Sequence, residues 1–343
     1  MSLWVRRCLG SAPRLAALAL LLGAGCLARH APLLPAPRAT VVIVNPYAGV
    51  DWANDGAYRA NLHTHTTQSD GRLPPHEVVD RYHALGYRIL ALTDHDRVTW
   101  PWTEFSRLDP RAEDRDPAAL NMLDVPGAEA SRHHHINTLF CVVPGRATEE
   151  ETLAAVRAQG GLAVLNHPGR EQWSDARLER LFRRHSELLG MEACNQRDRY
   201  PGDRDRWDRL LTRMPAGRPV WGFSNDDMHR TNELGVSWNV VWLPDLSLSA
   251  LCSALRAGRT CFSYVATPGA DAPTLRAVDV RDVPPRIAVT AAGHTQTVWI
   301  SEGRAVATND LLRLDRTSGL GRYVRARLDG TNGWTCTQPF YLR

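Results

Sequence analysis

Apolar runs alternate with amphipathic runs along the chain up to about residue 267. Runs typical of buried strands cover 88–93, 162–166, 188–193, 219–223 and 236–243, and runs with helical spacing cover 78–85, 148–158, 175–186, 206–213 and 249–257. Ser174 stands at a predicted N-cap, and Gly86 and Gly258 stand where two helices should end. Strands that alternate with crossover helices pair in parallel, so the pattern predicts an α/β fold.

After about residue 268 the helical spacing disappears. Short alternating runs at 287–290, 297–301, 311–314 and 323–328 are separated by Gly, Pro and Asp, which is typical of antiparallel strands. We therefore predict a larger domain over 51–267 and a small all-β domain over 268–343. Packing against the larger domain is the expected role of the small one, with carbohydrate binding as the alternative.

The N-terminus has the order of an export signal. Three arginines precede an apolar run of thirteen residues at 15–27, which is short of the ~20 needed to span a bilayer and suits a signal peptide. A retained membrane anchor is an alternative, and the segment before Cys26 resembles a lipoprotein cleavage box. With 28–50 as a linker, we expect an exported protein in the periplasm, at the cell surface or secreted. It contacts the membrane only through its N-terminal segment.

Charge argues against a nucleic-acid surface. All 41 basic residues are arginines, the net charge is only +4, and acids are interspersed with the arginines around 197–206. A small-molecule substrate is expected, and the oligomeric state is left open. Five cysteines lie beyond the signal, so at least one is unpaired; Cys252 and Cys261 could form a disulfide, or all five could be free thiols.

The stretch 61–71 contains the first group of candidate metal ligands. His63 and His65 are two residues apart at the end of a predicted strand, which places both imidazoles on one face. Two such imidazoles can share a divalent metal, with an oxygen from Asp70 in the following turn.

Further residues of metal-ligand type follow the later predicted strands. They occur in the segments 93–96 (Thr-Asp-His-Asp), 127–129 (Gly-Ala-Glu), 134–137 (His-His-Ile-Asn), 166–169 (Asn-His-Pro-Gly) and 227–229 (Asp-Met-His). A series of ligands at successive strand ends is the pattern of a metallohydrolase on an α/β barrel of the TIM type.

This ordered series resembles the PHP (polymerase and histidinol phosphatase) superfamily over about residues 58–265, and most closely its carbaryl hydrolase-like branch. The resemblance implies a distorted (β/α)7 barrel. It also implies a binuclear or trinuclear site with nine ligands: His63, His65, Asp70, His95, Glu129, His135, His167, Asp227 and His229.

In that arrangement the carboxylate of Glu129 bridges the first and second metal ions. One metal is held by His63, His65, Glu129 and Asp227, a second by Glu129, His135 and His167, and a third by Asp70, His95 and His229. The choice of His135 follows the family, which places this ligand directly before a short apolar run. Zinc is the expected metal, with manganese or iron as alternatives.

Other polar residues beside the ligands are candidates for supporting roles. Asp94, His134 and Asp226 are candidate catalytic groups that orient an imidazole, a water or the substrate. Candidate substrate-binding residues are Arg132, Asn195, Arg197 and Arg230, with Glu192 beside Asn195 as a further candidate.

Three functions are compatible with these residues. The first is a hydrolase in which a metal-activated hydroxide attacks small phosphate esters. The second uses the same hydroxide on carbon esters, carbamates or amides, with walls formed by Trp100, Trp102, Trp173 and Trp221. The third is a non-catalytic, metal-containing cell-surface module. The complete ligand series favours an enzyme over the third reading.

Overall fold

The computed structural model describes residues 40–171 and 173–343. The region in which strands and helices alternate contributes its strands to two sheets. The predicted signal at 1–27 and the beginning of the predicted linker lie outside these residues. The later part of that linker includes a strand, Val42–Val44, that pairs antiparallel with Phe340–Leu342. Within the described ranges, no helix is both long enough and apolar enough to cross a membrane.

The elements alternate as the sequence predicts, and each of the five predicted helices is present within one turn of its expected bounds. The helices are α1 (Pro75–Ala84), α2 (Phe105–Leu108), α3 (Pro117–Leu120), α4 (Glu149–Ala158), α5 (Asp175–Arg184), α6 (Asp203–Arg213) and α7 (Leu248–Ala257). The strands are β1 (Val42–Val44), β2 (Gly56–Asn61), β3 (Ile89–Leu90), β4 (Leu123–Asp124), β5 (Gly127–Ala130), β6 (Ile136–Leu139), β7 (Leu162–Leu165), β8 (Leu188–Asn195), β9 (Trp221–Asn225), β10 (Ser237–Leu243), β11 (Thr260–Val265), β12 (Thr274–Asp282), β13 (Pro285–Ala292), β14 (Gln296–Ser301), β15 (Arg304–Ala307), β16 (Leu311–Arg313), β17 (Tyr323–Asp329), β18 (Gly333–Thr337) and β19 (Phe340–Leu342).

Side-chain caps fix where three helices begin. The side-chain oxygens of Thr148, Ser174 and Ser247 each accept a hydrogen bond from a backbone N–H of the first turn of α4, α5 and α7. At the other end of α7, Gly258 takes a left-handed conformation with φ +74°, which glycine adopts without a Cβ penalty. These local signals explain why the sequence predicts the helix bounds well.

The resemblance implies a distorted (β/α)7 barrel, and the strand pairing does not confirm that arrangement. Among the described residues, β2, β3 and β4 are parallel neighbours in an eleven-stranded sheet, whereas β5 to β9 form a five-stranded sheet of their own. β6 runs antiparallel to β5 because only a short turn, with no crossover helix, separates the two strands. β6 also pairs antiparallel with β7, although α4 lies between them in the chain. Isolated bridges at His95–Glu129 and Thr64–Met228 join the two sheets.

The chain after residue 267 contains only strands as far as the structure describes it. β12, β13 and β16 form a three-stranded sheet, while β18 pairs with β11 and thereby extends the eleven-stranded sheet. Gln338 bonds both the N–H and the C=O of Gly222, and the Tyr341 hydroxyl accepts from the N–H of Val220. The two regions therefore share a sheet and buried hydrogen bonds, and independent folding of 268–343 stays a prediction.

The cysteines beyond the predicted signal are free thiols in this structure. They are Cys141, Cys194, Cys252, Cys261 and Cys336. The predicted alternative of a Cys252–Cys261 disulfide is therefore not realised. Burial raises the pKa of the Cys141 thiol to about 11, so this thiol stays protonated and unreactive at neutral pH.

Candidate metal centre

His63 and His65 lie on one face, as their spacing predicts. Both imidazoles follow β2 and are fully buried, and their Nε2 atoms are 3.2 Å apart. The backbone N–H of His65 donates to the carbonyl oxygen of Met228, which places this segment beside the loop after β9.

Glu129 on β5 occupies the centre of the cluster. Its carboxylate lies within 3.4 Å of five imidazoles, with nitrogen–oxygen distances of 3.3 Å to His63, 3.4 Å to His65, 3.0 Å to His95, 2.9 Å to His135 and 3.3 Å to His167. A carboxylate shared among so many imidazoles is placed to bridge two metal ions.

Two of the candidate ligands have strained backbones. His167 after β7 has φ +24° and Asp227 after β9 has φ +45°, both in the region that non-glycine residues rarely adopt. This conformation brings Asp227 Oδ1 to 3.2 Å from His63 Nε2 and 3.1 Å from His65 Nε2. Strain of this kind persists where the surrounding structure holds a functional group in place.

Asp70 forms the solvent side of the cluster. Its side chain is 54% exposed, and its oxygens lie 3.5 Å from His95 Nε2 and 3.2 Å from His229 Nε2. His229 is oriented by its own Nδ1, 2.9 Å from the carbonyl oxygen of Asp227. All nine predicted ligands therefore converge on one site.

The nine residues divide into groups whose donor atoms all lie within 4.8 Å of one another. These groups are His63, His65 and Asp227; His63, Glu129 and His167; His95, Glu129 and His135; and His65, Asp70, His95 and His229. The grouping agrees with a bridging position for Glu129. It differs from the implied sets in joining His135 to His95, His167 to His63, and His65 to the group of Asp70.

The donor set fits divalent cations electrostatically. Burial lowers the pKa of His63, but the carboxylates of Asp227 and Glu129 outweigh burial and raise it well above its usual value. The pKa of Glu129 is held well below its usual value because the surrounding imidazoles outweigh the opposing effect of burial. The buried carboxylates thus require positive charge, which either protons on imidazoles or metal ions supply.

Unpartnered atoms point to the same conclusion. Among the described residues, His167 Nδ1 is buried without a hydrogen-bond partner, and His95 Nδ1 and Glu129 Oε2, although 3.0 Å apart, are not aligned for a hydrogen bond. Buried polar atoms without partners are costly, and metal-ligand bonds are one way in which such atoms are satisfied. Imidazoles suit zinc and iron, and carboxylates also suit manganese, so the donor set fits each of these divalent cations.

Glu192 on β8 supports the cluster from behind. Its Oε1 lies 2.9 Å from His63 Nδ1 and accepts from Asn225, while its Oε2 accepts from the backbone N–H of His167 and from Asn195. A carboxylate on the rear nitrogen of a metal-binding histidine fixes the ring and its tautomer. The sequence made Glu192 a candidate for substrate binding. Its complete burial and its contact with His63 instead fit a role in positioning that histidine.

Asp94 and Asp226, predicted as catalytic groups, bind neighbouring loops. Asp94 accepts from the backbone N–H and hydroxyl of Thr66 and from the hydroxyls of Ser69 and Thr99. Asp226 accepts three backbone N–H groups at 235–237, and burial raises its pKa to about 6. Both carboxylates are fully buried. Through these hydrogen bonds, Asp94 holds the turn that contains Asp70, and Asp226 holds the segment next to Asp227.

His134, the third predicted catalytic group, has partners outside the cluster. Its imidazole pairs with Glu149 and packs edge-on against Trp173, with ring centroids 4.3 Å apart. The adjacent His135 turns inward because it directly precedes β6, whereas His134 belongs to the turn. The structure therefore brings His135 and not His134 to the metal ligands.

The predicted substrate-binding residues lie in different places. Arg230 lines a hollow next to Asp70 and His229, whereas Arg132 is exposed beside Asp96 and Asn195 is buried against Asp227 and Glu192. Arg197 is exposed and does not line the cluster's opening.

Two other arginines, Arg170 and Arg199, line the cavity of about 270 Å³ over the cluster. Arg170 follows the sharp turn at His167, and Arg199 follows β8. In a chain with 41 arginines, no sequence signal distinguishes these two from the rest.

One solved structure is similar to this chain over most of its length. A two-domain protein from Bacteroides vulgatus that contains a predicted PHP-like metal-dependent phosphoesterase superimposes with a TM-score of 0.50 at 16% identity, over 89% of this chain and 91% of that one. An amidohydrolase from Chromobacterium violaceum gives a TM-score of 0.37 at 20% identity, over 51% of this chain and 88% of that one.

In sequence, 38 residues are 53% identical to a 5'-3' exoribonuclease from Haemophilus influenzae, which is 11% of this chain and 14% of that protein. No family model matches the chain. The likeness to the Bacteroides vulgatus protein shows a PHP-like fold, and the carbaryl hydrolase-like branch gains no support from these comparisons.

Proposed function

We propose that this protein is a metal-dependent hydrolase that cleaves small phosphate esters. The observation that carries the proposal is the convergence of nine metal-type ligands beneath a cavity lined by Arg170 and Arg199. Metal ions supply an activated water and a Lewis acid, and guanidinium groups bind the oxygens of a phosphate.

The chain's own residues define where each part of a substrate binds. Glu129 and Asp227 are buried at the floor and hold the positions of the ions. Arg170 and Arg199 at the opening bind a phosphate and orient its phosphorus toward the floor. His95 and His229 are half-buried between floor and rim, where their ring orientation sets the outer ligand positions.

Hydrolysis of carbon esters, carbamates or amides is the alternative, and the cavity favours phosphate over it. Such a hydrolase would use apolar walls, but Trp102, Trp173 and Trp221 are buried in the hydrophobic core. Among the described residues, those lining the cavity are imidazoles, carboxylates, Gln196 and two arginines. A polar lining with cationic side chains is complementary to an anionic ester.

The test is a substrate panel on the purified full chain. We expect p-nitrophenyl phosphate or a phosphodiester to be hydrolysed, activity to be lost in chelator, and zinc, manganese or iron to restore it. The double change Arg170→Ala with Arg199→Ala should raise KM for the phosphate ester, whereas Arg132→Ala should not. Turnover of acetate or carbamate esters alone would refute the phosphoesterase assignment.

A further inference from the structure

A second hollow, which we name the arginine hollow, adjoins the cavity over the metal cluster. It has a volume of about 360 Å³, and its lining includes Arg72, Arg199, Arg230, Asp70, His229 and Glu233. The two hollows share Asp70, Gln196, Arg199 and His229, so they are neighbouring parts of one groove. Each part alone is near the small end of the ~300–1,000 Å³ typical of ligand sites. The whole groove therefore has room for a substrate larger than a single phosphate.

The backbone of the arginine hollow is tied to the segments that carry candidate metal ligands. The N–H of Arg72 donates to the carbonyl oxygen of His229 at 2.9 Å, and Arg230 directly follows His229 in the chain. A Cβ on Gly71 would lie 2.5 Å from the carbonyl oxygen of His65, so the turn before Arg72 packs closely on the first ligand segment. The two arginines therefore have fixed attachment points beside the cluster.

The guanidinium groups of the arginine hollow are free to bind an anion. Arg72, Arg199 and Arg230 are exposed and form no ion pair with any carboxylate among the described residues. Arg115, by contrast, is bound to Asp80 at 2.7 Å. Exposed cations without a partner, grouped at one hollow, attract anionic ligands.

The two carboxylates in the arginine hollow are engaged elsewhere. Glu233 Oε2 accepts from the backbone N–H groups of His229 and Arg230, at 2.8 and 2.9 Å. Asp70 lies 3.2 Å from His229 Nε2 and belongs to the candidate ligands. The hollow therefore keeps a cationic character despite these two acids.

We infer that the arginine hollow binds a second anionic group of the substrate, a phosphate or a carboxylate on the alcohol part of the ester. Guanidinium groups bind both kinds of anion through paired N–H donors. The inference rests on the proposed phosphoesterase function, in which Arg170 and Arg199 bind the phosphate that is cleaved. Arg72 and Arg230 line only the second hollow, so they determine specificity for the second anion.

The first measurement is of binding, which does not depend on turnover. The full chain is titrated in a calorimeter with alkane bisphosphonates of increasing spacer length, and with the matching phosphonoalkanoates and alkyl monophosphonates. We expect a doubly anionic ligand to bind about tenfold more tightly than its monophosphonate, as one charge-assisted contact implies. Whether the bisphosphonate or the phosphonoalkanoate gains more identifies the second anion as phosphate or carboxylate. The gain should decrease with added salt, because exposed charges are screened.

The double change Arg72→Ala with Arg230→Ala should remove this gain, and Arg72→Gln or Arg230→Gln alone should remove part of it. Arg107→Ala is the matched control, since Arg107 on α2 is exposed and lies outside both hollows, and it should keep the gain. Wild-type metal content in each variant shows that the cluster is intact. A gain that the double variant keeps would overturn the inference, and so would equal binding of singly and doubly anionic ligands at every spacer length.

The second measurement separates this inference from the proposed function. Initial rates are compared for an alkyl monophosphate and for the ester that carries the second anion at the best-binding spacer length. We expect kcat/KM for the doubly anionic ester to be about tenfold higher in the wild-type protein, and this ratio to fall towards one in the double variant. Equal kcat/KM for the two esters in the wild-type protein would overturn the inference and leave the phosphoesterase proposal standing. Hydrolysis of neither ester would refute the phosphoesterase proposal, and the binding gain would still decide whether the hollow is an anion site.

Discussion

The metal cluster and the contact between α6 and β17 both bury ionised carboxylates, but they balance the charge differently. Asp208 on α6 pairs with Arg325 on β17 through two hydrogen bonds of 2.8 and 2.6 Å, and accepts a third of 2.7 Å from the Tyr323 hydroxyl. Glu129 in the metal cluster is surrounded by imidazoles and has no guanidinium partner among the described residues.

The difference separates a structural site from a functional one. The guanidinium of Arg325 is a permanent cation that cannot leave, so the ion pair fixes the C-terminal strands on the larger domain. The imidazoles around Glu129 are cations only when protonated, and their lone pairs can bind a metal ion instead. The first site is complete within the chain, whereas the second has the donor atoms and the charge that divalent ions would complete.

The largest expected effect is that of Glu129→Gln. Removing the bridging charge should lower the metal content and reduce activity roughly a thousandfold, because several kcal/mol of charge stabilisation depend on the ions. Without metal at pH 8, the variant should be more stable than the wild-type protein, since it buries one less ionised group. Elemental analysis, initial rates and urea unfolding measure the three effects.

Glu77→Gln, in an exposed pair on α1, serves as the control and should change none of the three measurements. If Glu129→Gln kept the metal content and activity of the wild-type protein, the proposed role of Glu129 as the central metal-binding carboxylate would be wrong.

Breaking the ion pair should have the opposite effect on stability. Arg325→Met leaves Asp208 buried and unpaired, so we expect a loss of about 3–5 kcal/mol in the free energy of unfolding, measured in urea. The double change Asp208→Leu with Arg325→Met should recover much of that loss. Arg327→Met, in the more exposed pair with Asp329, is the matched control and should cost about 1 kcal/mol or less.

Metal content should be normal in every folded Arg325 variant. A loss of metal with the fold intact would show that the two regions are not separate in function.

Glu192→Gln tests the support behind the metal ligands. We expect metal affinity to fall roughly 10–100-fold, with kcat reduced and secondary structure unchanged, because Glu192 holds His63 but binds no ion itself. Glu187→Gln is a close control, since Glu187 is also buried and pairs with a histidine, His185, 2.9 Å away and outside the cluster. Equal metal affinity in both variants would contradict the positioning role.

The smallest effect belongs to a partly exposed pair, Asp80 with Arg115. The Arg115 guanidinium holds the pKa of Asp80 below its usual value. The pair therefore stabilises the fold at pH values above the unfolded pKa of about 4. This stabilisation is lost as the pH falls through the lower pKa of the folded state. Arg115→Ala should cost about 0.2–1 kcal/mol at pH 7, because Asp80 is 46% exposed and solvent screens it. Its urea curve should converge with that of the wild type near pH 2.

The sequence predicts which donor side chains come together because their positions follow from local order. His63, Glu129 and His167 each end or follow an apolar run, and strand ends gather at one edge of a sheet. The helix bounds are equally local, since Ser174 and Gly258 act within one turn.

The features that the sequence does not predict depend on contacts between residues that are far apart in the chain. Arg199 at the cavity and Arg197 outside it are two residues apart, and only the turn after β8 separates their roles. Asp226 resembles a ligand in sequence, yet it binds the backbone at 235–237. The pairing of β18 with β11 joins strands that are far apart in sequence, so the predicted division near residue 267 does not show the shared sheet.

The central claim is that the histidine–carboxylate cluster is a multinuclear metal site. The most direct measurement is anomalous diffraction at the zinc, manganese and iron edges from crystals of the metal-loaded protein. We predict at least two peaks ~3.5–4 Å apart, both beside the carboxylate of Glu129. Peaks absent from the cluster in metal-loaded crystals, or a single peak not contacted by Glu129, would contradict the account.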